Sequence, residues 1–175
     1  MKDDNYTEVR FNPKTGALSA IHKEHNFDKT IGKFGIPRGD YERISLAVLY
    51  DYGYSVILES EKLGRKTKVA EGHLNGKLFE IKGIEGDSKN NIIKDIKDAS
   101  KKRAEIIVLY YHEKNLFSEK QLQKSYQSYL RNSKSKRINT VYYIIDNKLY
   151  TIKNASDKSP AKRGPRGAQS ETLSP

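Results

Sequence analysis

Val69-Ala-Glu-Gly-His-Leu-Asn-Gly-Lys-Leu-Phe-Glu-Ile-Lys82 is the stretch whose reading decides the fold. Asn75-Gly76 at its centre is the strongest short signal for a two-residue hairpin, because a type I′ turn needs positive φ at both central residues. A loop of that length also sets the register. Leu74 faces Lys77, His73 faces Leu78, Gly72 faces Phe79 and Glu71 faces Glu80. Alternation along each strand then sorts the side chains. Val69, Glu71, His73, Leu78, Glu80 and Lys82 share one face, while Ala70, Gly72, Leu74, Phe79 and Ile81 share the other, a packing face.

The first face sets two carboxylates directly opposite each other, with Cβ atoms about 4.5–5.5 Å apart. Like charges so placed repel, and two arrangements relieve them. In one, a divalent cation lies between Glu71 and Glu80, with Lys82 two residues further along the same face; hard oxygen ligands of this kind suit Mg²⁺ or Mn²⁺. In the other, the face is solvated and Lys82 with neighbouring lysines neutralises the glutamates. Spacing alone leaves both open.

Working outward, the 175 residues are long enough for one core with tails. No apolar run approaches the ~18–20 residues that span a membrane, and the start, Met1-Lys-Asp-Asp-Asn-Tyr, lacks the apolar segment of a secretory signal. A cytoplasmic site of action is the expectation. There is no cysteine, which removes disulfides, thiolate nucleophiles and cysteine-ligated zinc. The net charge of +11, from 33 basic and 22 acidic residues, favours a polyanionic partner, nucleic acid ahead of a membrane surface. Several of the 12 tyrosines fall inside expected strands, where core packing accounts for them.

Before the hairpin, Arg10-Phe-Asn-Pro-Lys-Thr-Gly-Ala17 reads as a turn between two short extended pieces. His22-Lys-Glu-His25 reads as a polar surface segment rather than a metal site, since no third ligand is near in sequence. Gly32, Gly35 and Pro37 lead to a helix with Asp40 as N-cap, Glu42 in its first turn, an apolar stripe of Ile44, Ala47 and Val48, and Gly53 at its end. Ser55–Ser60 is a strand and Glu61–Lys68 a charged loop.

After the hairpin, Gly83–Lys89 is a loop with a cap at Asp87 or Ser88. The following helix, to about Lys102, buries Ile92, Ile93, Ile96 and Ala99 and turns Lys89, Lys94 and Lys97 outward. That outer face fits either an ordinary solvated helix or contacts to phosphate. Glu105–Tyr111 is a strand covered on both faces. Ser118 caps a further helix to about Arg131, with Leu122, Tyr126, Tyr129 and Leu130 inward. Thr140–Ile145 and Leu149–Ile152 form a second hairpin. From Asn154 onward the composition becomes Ser, Pro, Gly, Lys and Arg, a tail that cannot order itself, with a basic cluster of Lys158, Lys162, Arg163 and Arg166. The boundaries expected are an extension over 1–37, a domain over 38–153 and a basic tail over 154–175.

A helix, three strands, a helix and a fourth strand, with acidic residues on the second and third strands, resembles the PD-(D/E)xK nuclease superfamily. Phe79-Glu80-Ile81-Lys82 matches the (D/E)xK half, and Glu71 occupies the position of the motif's aspartate. More narrowly, Asn75–Lys82 with Gly86-Asp-Ser-Lys-Asn-Asn-Ile92 resembles the C-terminal nuclease domains of contact-dependent inhibition toxins, similar to domains in phage and integrative-element proteins. The likeness spans Asp40–Ile152, and it departs from the family where Ala70-Glu71 stands in place of Pro-Asp.

The resemblance implies an α/β fold with a restriction-endonuclease-like mixed sheet flanked by helices, an αβββαβ core plus a C-terminal helix and hairpin. It implies Mg²⁺-dependent hydrolysis of phosphodiester bonds in RNA, tRNA included, or DNA. Glu71, Glu80 and the Ile81 carbonyl would hold the ion, Lys82 would orient water or stabilise charge on the phosphate, and Glu42 would be the first-helix glutamate. His73, Lys89, Lys94 and Lys97 would contact nucleic acid. Two alternatives remain: a non-catalytic nucleic-acid-binding module, and an interaction domain docked to an acidic immunity protein, a partner that also accords with the nuclease reading.

Overall fold

In the computed structural model, residues 4–60, 70–86 and 89–152 are described. Eight strands form one sheet in which spatial order follows chain order. β1 (Tyr6–Phe11) and β2 (Leu18–His22) are followed by helix α1 (Arg38–Asp51), then β3 (Val56–Leu58), β4 (Gly72–Leu74) and β5 (Lys77–Ile84). α2 (Lys89–Lys101), β6 (Ile106–Tyr111), α3 (Glu119–Asn132), β7 (Thr140–Ile145) and β8 (Lys148–Thr151) complete it. The expected helix–three strands–helix–strand core is present as α1–β3–β4–β5–α2–β6, in a mixed α/β fold.

The hairpin register is the expected one: Gly72 pairs with Phe79, His73 with Leu78 and Leu74 with Lys77. Asn75 and Gly76 have φ of 48° and 80°, the double positive φ of a type I′ turn. β5, β6 and β7 run parallel at the centre. All six residues of β6 are buried, as a central strand covered on both faces requires.

Alternation along these strands sends Ile106, Val108 and Tyr110 into one core with Phe79, Ile81 and the α1 residues Tyr41, Leu46 and Leu49. Ile107, Leu109 and Tyr111 enter a second core with Ile92, Ile96, Leu122, Tyr126 and Tyr129. Helix α1 therefore covers one face, and α2 with α3 the other. Since β2, β3, β5, β6 and β7 all point the same way and each crossover steps in the same direction, the β2–α1–β3 connection has the opposite hand to the other two.

Several expectations are corrected. Residues before the expected boundary at 37 include β1 and β2, and β2 pairs in parallel with β3 inside the same sheet. Helix α1 begins at Arg38, so Asp40 lies within the first turn rather than capping it, and Glu42 falls just beyond that turn. Its buried positions are Tyr41, Ser45, Leu46, Val48 and Leu49, while Ile44 and Ala47 are only half-buried. Ala70 joins the α2–α3 core, because β4 begins only at Gly72 and the alternation does not reach back to it. The loop over Glu61–Lys68, with Val69, the caps Asp87 and Ser88, and the tail with Lys158, Lys162, Arg163 and Arg166 lie outside the described residues.

Candidate functional site

Unequal strand lengths create the site. β4 pairs with β5 over three residues only, while β5 runs on beside β6 to Ile84. From Glu80 onward the outer edge of β5 has no strand neighbour among the described residues, and a buried peptide edge needs hydrogen-bond partners from elsewhere. Glu71, one residue before β4, supplies one: its Oε2 accepts from the Ile81 backbone N–H at 2.7 Å. Further along, the Tyr41 ring of α1 lies over Gly83 so closely that a Cβ there would stand 1.9 Å from Cδ2 of the ring.

The opening is a cavity of about 580 Å³ between α1 and α2, with Glu42, Glu71, Ile81, Lys82, Lys94 and Asp95 in its wall. A second cleft of about 450 Å³ shares Asp28, Glu42, Glu71 and Lys82 with it and adds Lys29 and Lys102. Glu80 lies beneath, fully buried. Its Oε1 pairs with Lys82 Nζ at 2.6 Å and with Lys102 Nζ at 2.5 Å. Its Oε2 is buried with no hydrogen-bond partner among the described residues.

Burial, then the negative charges of Glu80 and Glu42, hold the Glu71 carboxyl well above the usual carboxylate range. Burial opposes the charge on Lys82, but Glu80 and Glu71 outweigh it and its pKa is raised. Burial also lifts Asp95 to about 6, although Lys82 pulls the other way. Arg38 grips Glu85 at the rim through Nε at 3.1 Å and a terminal nitrogen at 2.9 Å. That guanidinium keeps the Glu85 carboxyl below its ordinary value.

Thus Glu42, Glu71, Glu80, Ile81, Lys82 and Lys94 come together, and three other expected residues do not. His73 is half-buried on β4 and pairs through Nδ1 with Glu59 Oε1 at 3.3 Å, away from both clefts. Lys89 is exposed at the start of α2 and lines neither cleft. Lys97 faces a separate cavity near the far end of that helix. Among residues the sequence did not single out, Lys102 is the most consequential, since it shares Glu80 with Lys82 across 22 positions of chain. Asp95, in the wall of the larger cavity, is another such residue. His25 is buried rather than a surface residue; its Nδ1–H donates to the Glu59 carbonyl at 2.8 Å and its Nε2 pairs with Glu42 Oε2 at 3.0 Å, which holds Glu42 in place.

Among the described residues no three His, Asp or Glu side chains stand close enough to form a ready-made metal site. The donor set nonetheless fits a hard divalent cation. Glu71 and Glu80 repel each other, and the buried Glu80 Oε2 has an unsatisfied lone-pair face among the described residues. As it stands, Glu80 carries lysine neutralisation, one of the two arrangements the sequence allowed.

Residues 68–149 match the family model described as the contact-dependent growth inhibition CdiA C-terminal domain. No curated protein matches the chain. Among solved structures, a chain of the CdiA-CT/CdiI toxin and immunity complex from Burkholderia pseudomallei is similar with a TM-score of 0.53 and 20% sequence identity. The superposition covers 78% of this chain and 99% of that one, and at this identity the likeness is one of fold. Among the described residues no helix is long and apolar enough to cross a membrane.

Proposed function

We propose that this chain is a toxin-like nuclease that hydrolyses phosphodiester bonds with a divalent cation, and that its site is the fork between β4 and β5. The observation that carries the reading is the fork itself: the charge of Glu80 acting on buried Glu71, Lys82 paired with Glu80, and an open polar cavity above. The match to the CdiA C-terminal family over 68–149 supports a toxic activity and includes both glutamates and Lys82.

Glu71 and Glu80, with the Ile81 carbonyl, would hold Mg²⁺ or Mn²⁺. When bound, the ion supplies Lewis acidity that polarises the scissile phosphate and lowers the pKa of a coordinated water. The chain's own residues do the rest. Ile81 N–H fixes one oxygen of Glu71, a residue that lines the cleft. Lys82, kept protonated by Glu80 and Glu71, donates to a phosphate oxygen or orients the attacking water. Lys94 in the cavity wall holds the backbone of the substrate without reading its sequence. Glu42, oriented by His25, faces the same cleft as a further acidic group. RNA, tRNA in particular, is the substrate class the family resemblance favours, in a toxin or mobile element whose acidic immunity protein complements the +11 chain.

One observation favours a second reading. Glu80 is already neutralised by two lysines, which accords with a non-catalytic nucleic-acid-binding module. Cleavage of tRNA, single-stranded RNA and plasmid DNA in Mg²⁺, Mn²⁺ and EDTA, with Glu80→Gln and Lys82→Ala alongside, separates the two. Metal-dependent cutting that both variants lose is the expected result. Binding without cutting in any metal overturns the nuclease and leaves the module.

A further inference from the structure

A further cavity, of about 400 Å³, opens between the C-terminal ends of α2 and α3. Five cations line it (Lys97, Lys101, Arg103, Lys134 and Arg137), with no carboxylate among its lining residues. Lys101 pairs with Asp98 on its own helix, but among the described residues no carboxylate stands within ion-pairing distance of the other four. Cations concentrated in a concave surface raise the local potential and attract a polyanion.

The backbone adds an independent observation. Arg103 sits just past the end of α2 with φ of 70°, a left-handed conformation that favours glycine or asparagine. Three of the five described non-glycine residues with positive φ are Asn75, Asp146 and Asn147, in hairpin turns that suit them. Arg103 has no such local reason. Its N–H bonds to the Ser100 carbonyl and closes the helix, a task glycine performs with less strain. An arginine kept at this conformational cost points to a task for its side chain, and that side chain lines the cavity.

The turn Lys101-Lys102-Arg103 also divides the two charged regions. Lys102 lines the cleft that holds Glu71 and Lys82, while its neighbours on both sides line the basic cavity. We infer that the cavity between α2 and α3 is a second phosphodiester-binding site, which takes the backbone of the nucleic acid where it leaves the cleft over Lys102. The inference rests on the nuclease reading only for the identity of the cleft; the binding itself does not require cleavage.

The test is binding of a fluorescent RNA stem-loop and a DNA hairpin of the same sequence to the full chain in EDTA across a salt series. Arg103→Gly and the triple variant Lys97→Ala, Arg103→Gly, Arg137→Ala are compared with wild type. Arg103→Gly should melt about 2–4 °C higher through relief of the left-handed strain and still bind more weakly, an outcome that no loss of folding produces. The triple variant should lose affinity on the order of tenfold at moderate salt, with the slope of log K against log salt falling by roughly 0.7–0.9 for each phosphate that is no longer neutralised. Equal losses for RNA and DNA identify backbone recognition, whereas a loss confined to one identifies recognition of sugar or base and overturns it. Unchanged affinity and slope in the triple variant sink the inference even if the chain cuts nucleic acid. A retained effect in a chain that cuts nothing leaves the site standing and removes the nuclease.

Discussion

Replacing Asp95 with asparagine should stabilise the protein, and the gain should depend on pH. Asp95 is half-buried on α2 in the wall of the cavity, and burial lifts its carboxyl from the ordinary 3.8 to about 6. Below about pH 4 it is protonated in folded and unfolded chains alike and has no effect on stability. Between about 4 and 6 the unfolded chain gives up its proton while the folded chain retains it. The unfolded state gains, so stability falls as pH rises, by up to about 1.4 kcal/mol per pH unit. Above about 6 both states are ionised and the full cost remains. A shift of about two units corresponds to ~3 kcal/mol, and solvent at a half-buried site reduces that to about 1–2 kcal/mol. Asparagine keeps the shape of the protonated acid and bears no such charge. Chemical denaturation of both proteins from pH 4 to 8 should therefore show Asp95→Asn matched with wild type at pH 4 and ahead of it by about 1–2 kcal/mol at pH 7.5. A difference that is constant with pH, or a variant less stable at pH 7.5, would refute the argument that desolvation outweighs the attraction of Lys82.

Other perturbations address the fork and the packing around it. Gly83→Ala should lower stability by about 1–3 kcal/mol, measured by thermal melting, since the new Cβ meets the Tyr41 ring at 1.9 Å and either the ring or β5 must move. Tyr129→Phe should cost about 1–3 kcal/mol in urea, because the hydroxyl it removes bridges the Ser135 carbonyl at 2.8 Å and the Ile138 N–H at 3.2 Å in a buried place. Mg²⁺ at ten times its dissociation constant should stabilise the wild type by about 1.4 kcal/mol and leave Glu80→Gln unmoved; equal stabilisation of both proteins would mean the ion binds elsewhere. Glu71→Asp should lower the melting temperature and slow cleavage together, as the shortened side chain withdraws from Ile81 N–H.

The hairpin and its register are legible because Asn75-Gly76 and the alternation on either side are local signals; the structure repeats the pairs of Leu74, His73 and Gly72, while Glu71, expected opposite Glu80, falls just outside the ladder. The same holds for β6, an unbroken apolar run, and for α3, where Ser118 accepts from Gln121 N–H as an N-cap should. What the sequence left out is long-range. β2 joins the sheet through a parallel pair with β3, and the intervening 33 positions carry no mark of that pairing. Lys102 stands in the sequence only as the approximate end of a helix, and the crossing of α2 over β5 carries its amine to Glu80. His25 read as surface because its partners, Glu59 and Glu42, lie 34 and 17 positions away. Glu71, Glu80, Ile81 and Lys82 were found because one hairpin holds them; Lys97 and Lys89 were grouped with them because helix periodicity says which face is outward and not which end meets the cleft.

The glutamate at position 71 follows from the geometry of the fork. β4 begins at Gly72, so residue 71 already lies where the two strands part and the ladder no longer holds them at hairpin spacing. A carboxylate there has two tasks: it must reach back to satisfy Ile81 N–H, and it must remain near Glu80. An aspartate could do both only if the strands stayed paired one residue longer. Gly72 works against that, since its backbone lies so close to β3 that a Cβ would stand 1.9 Å from the Ile57 carbonyl oxygen, and the chain is drawn toward β3 as it leaves β5. The extra methylene of Glu71 spans the resulting gap. In this chain the longer acid and the early parting of the strands go together: from just outside the ladder the Glu71 side chain still reaches Ile81 N–H at 2.7 Å.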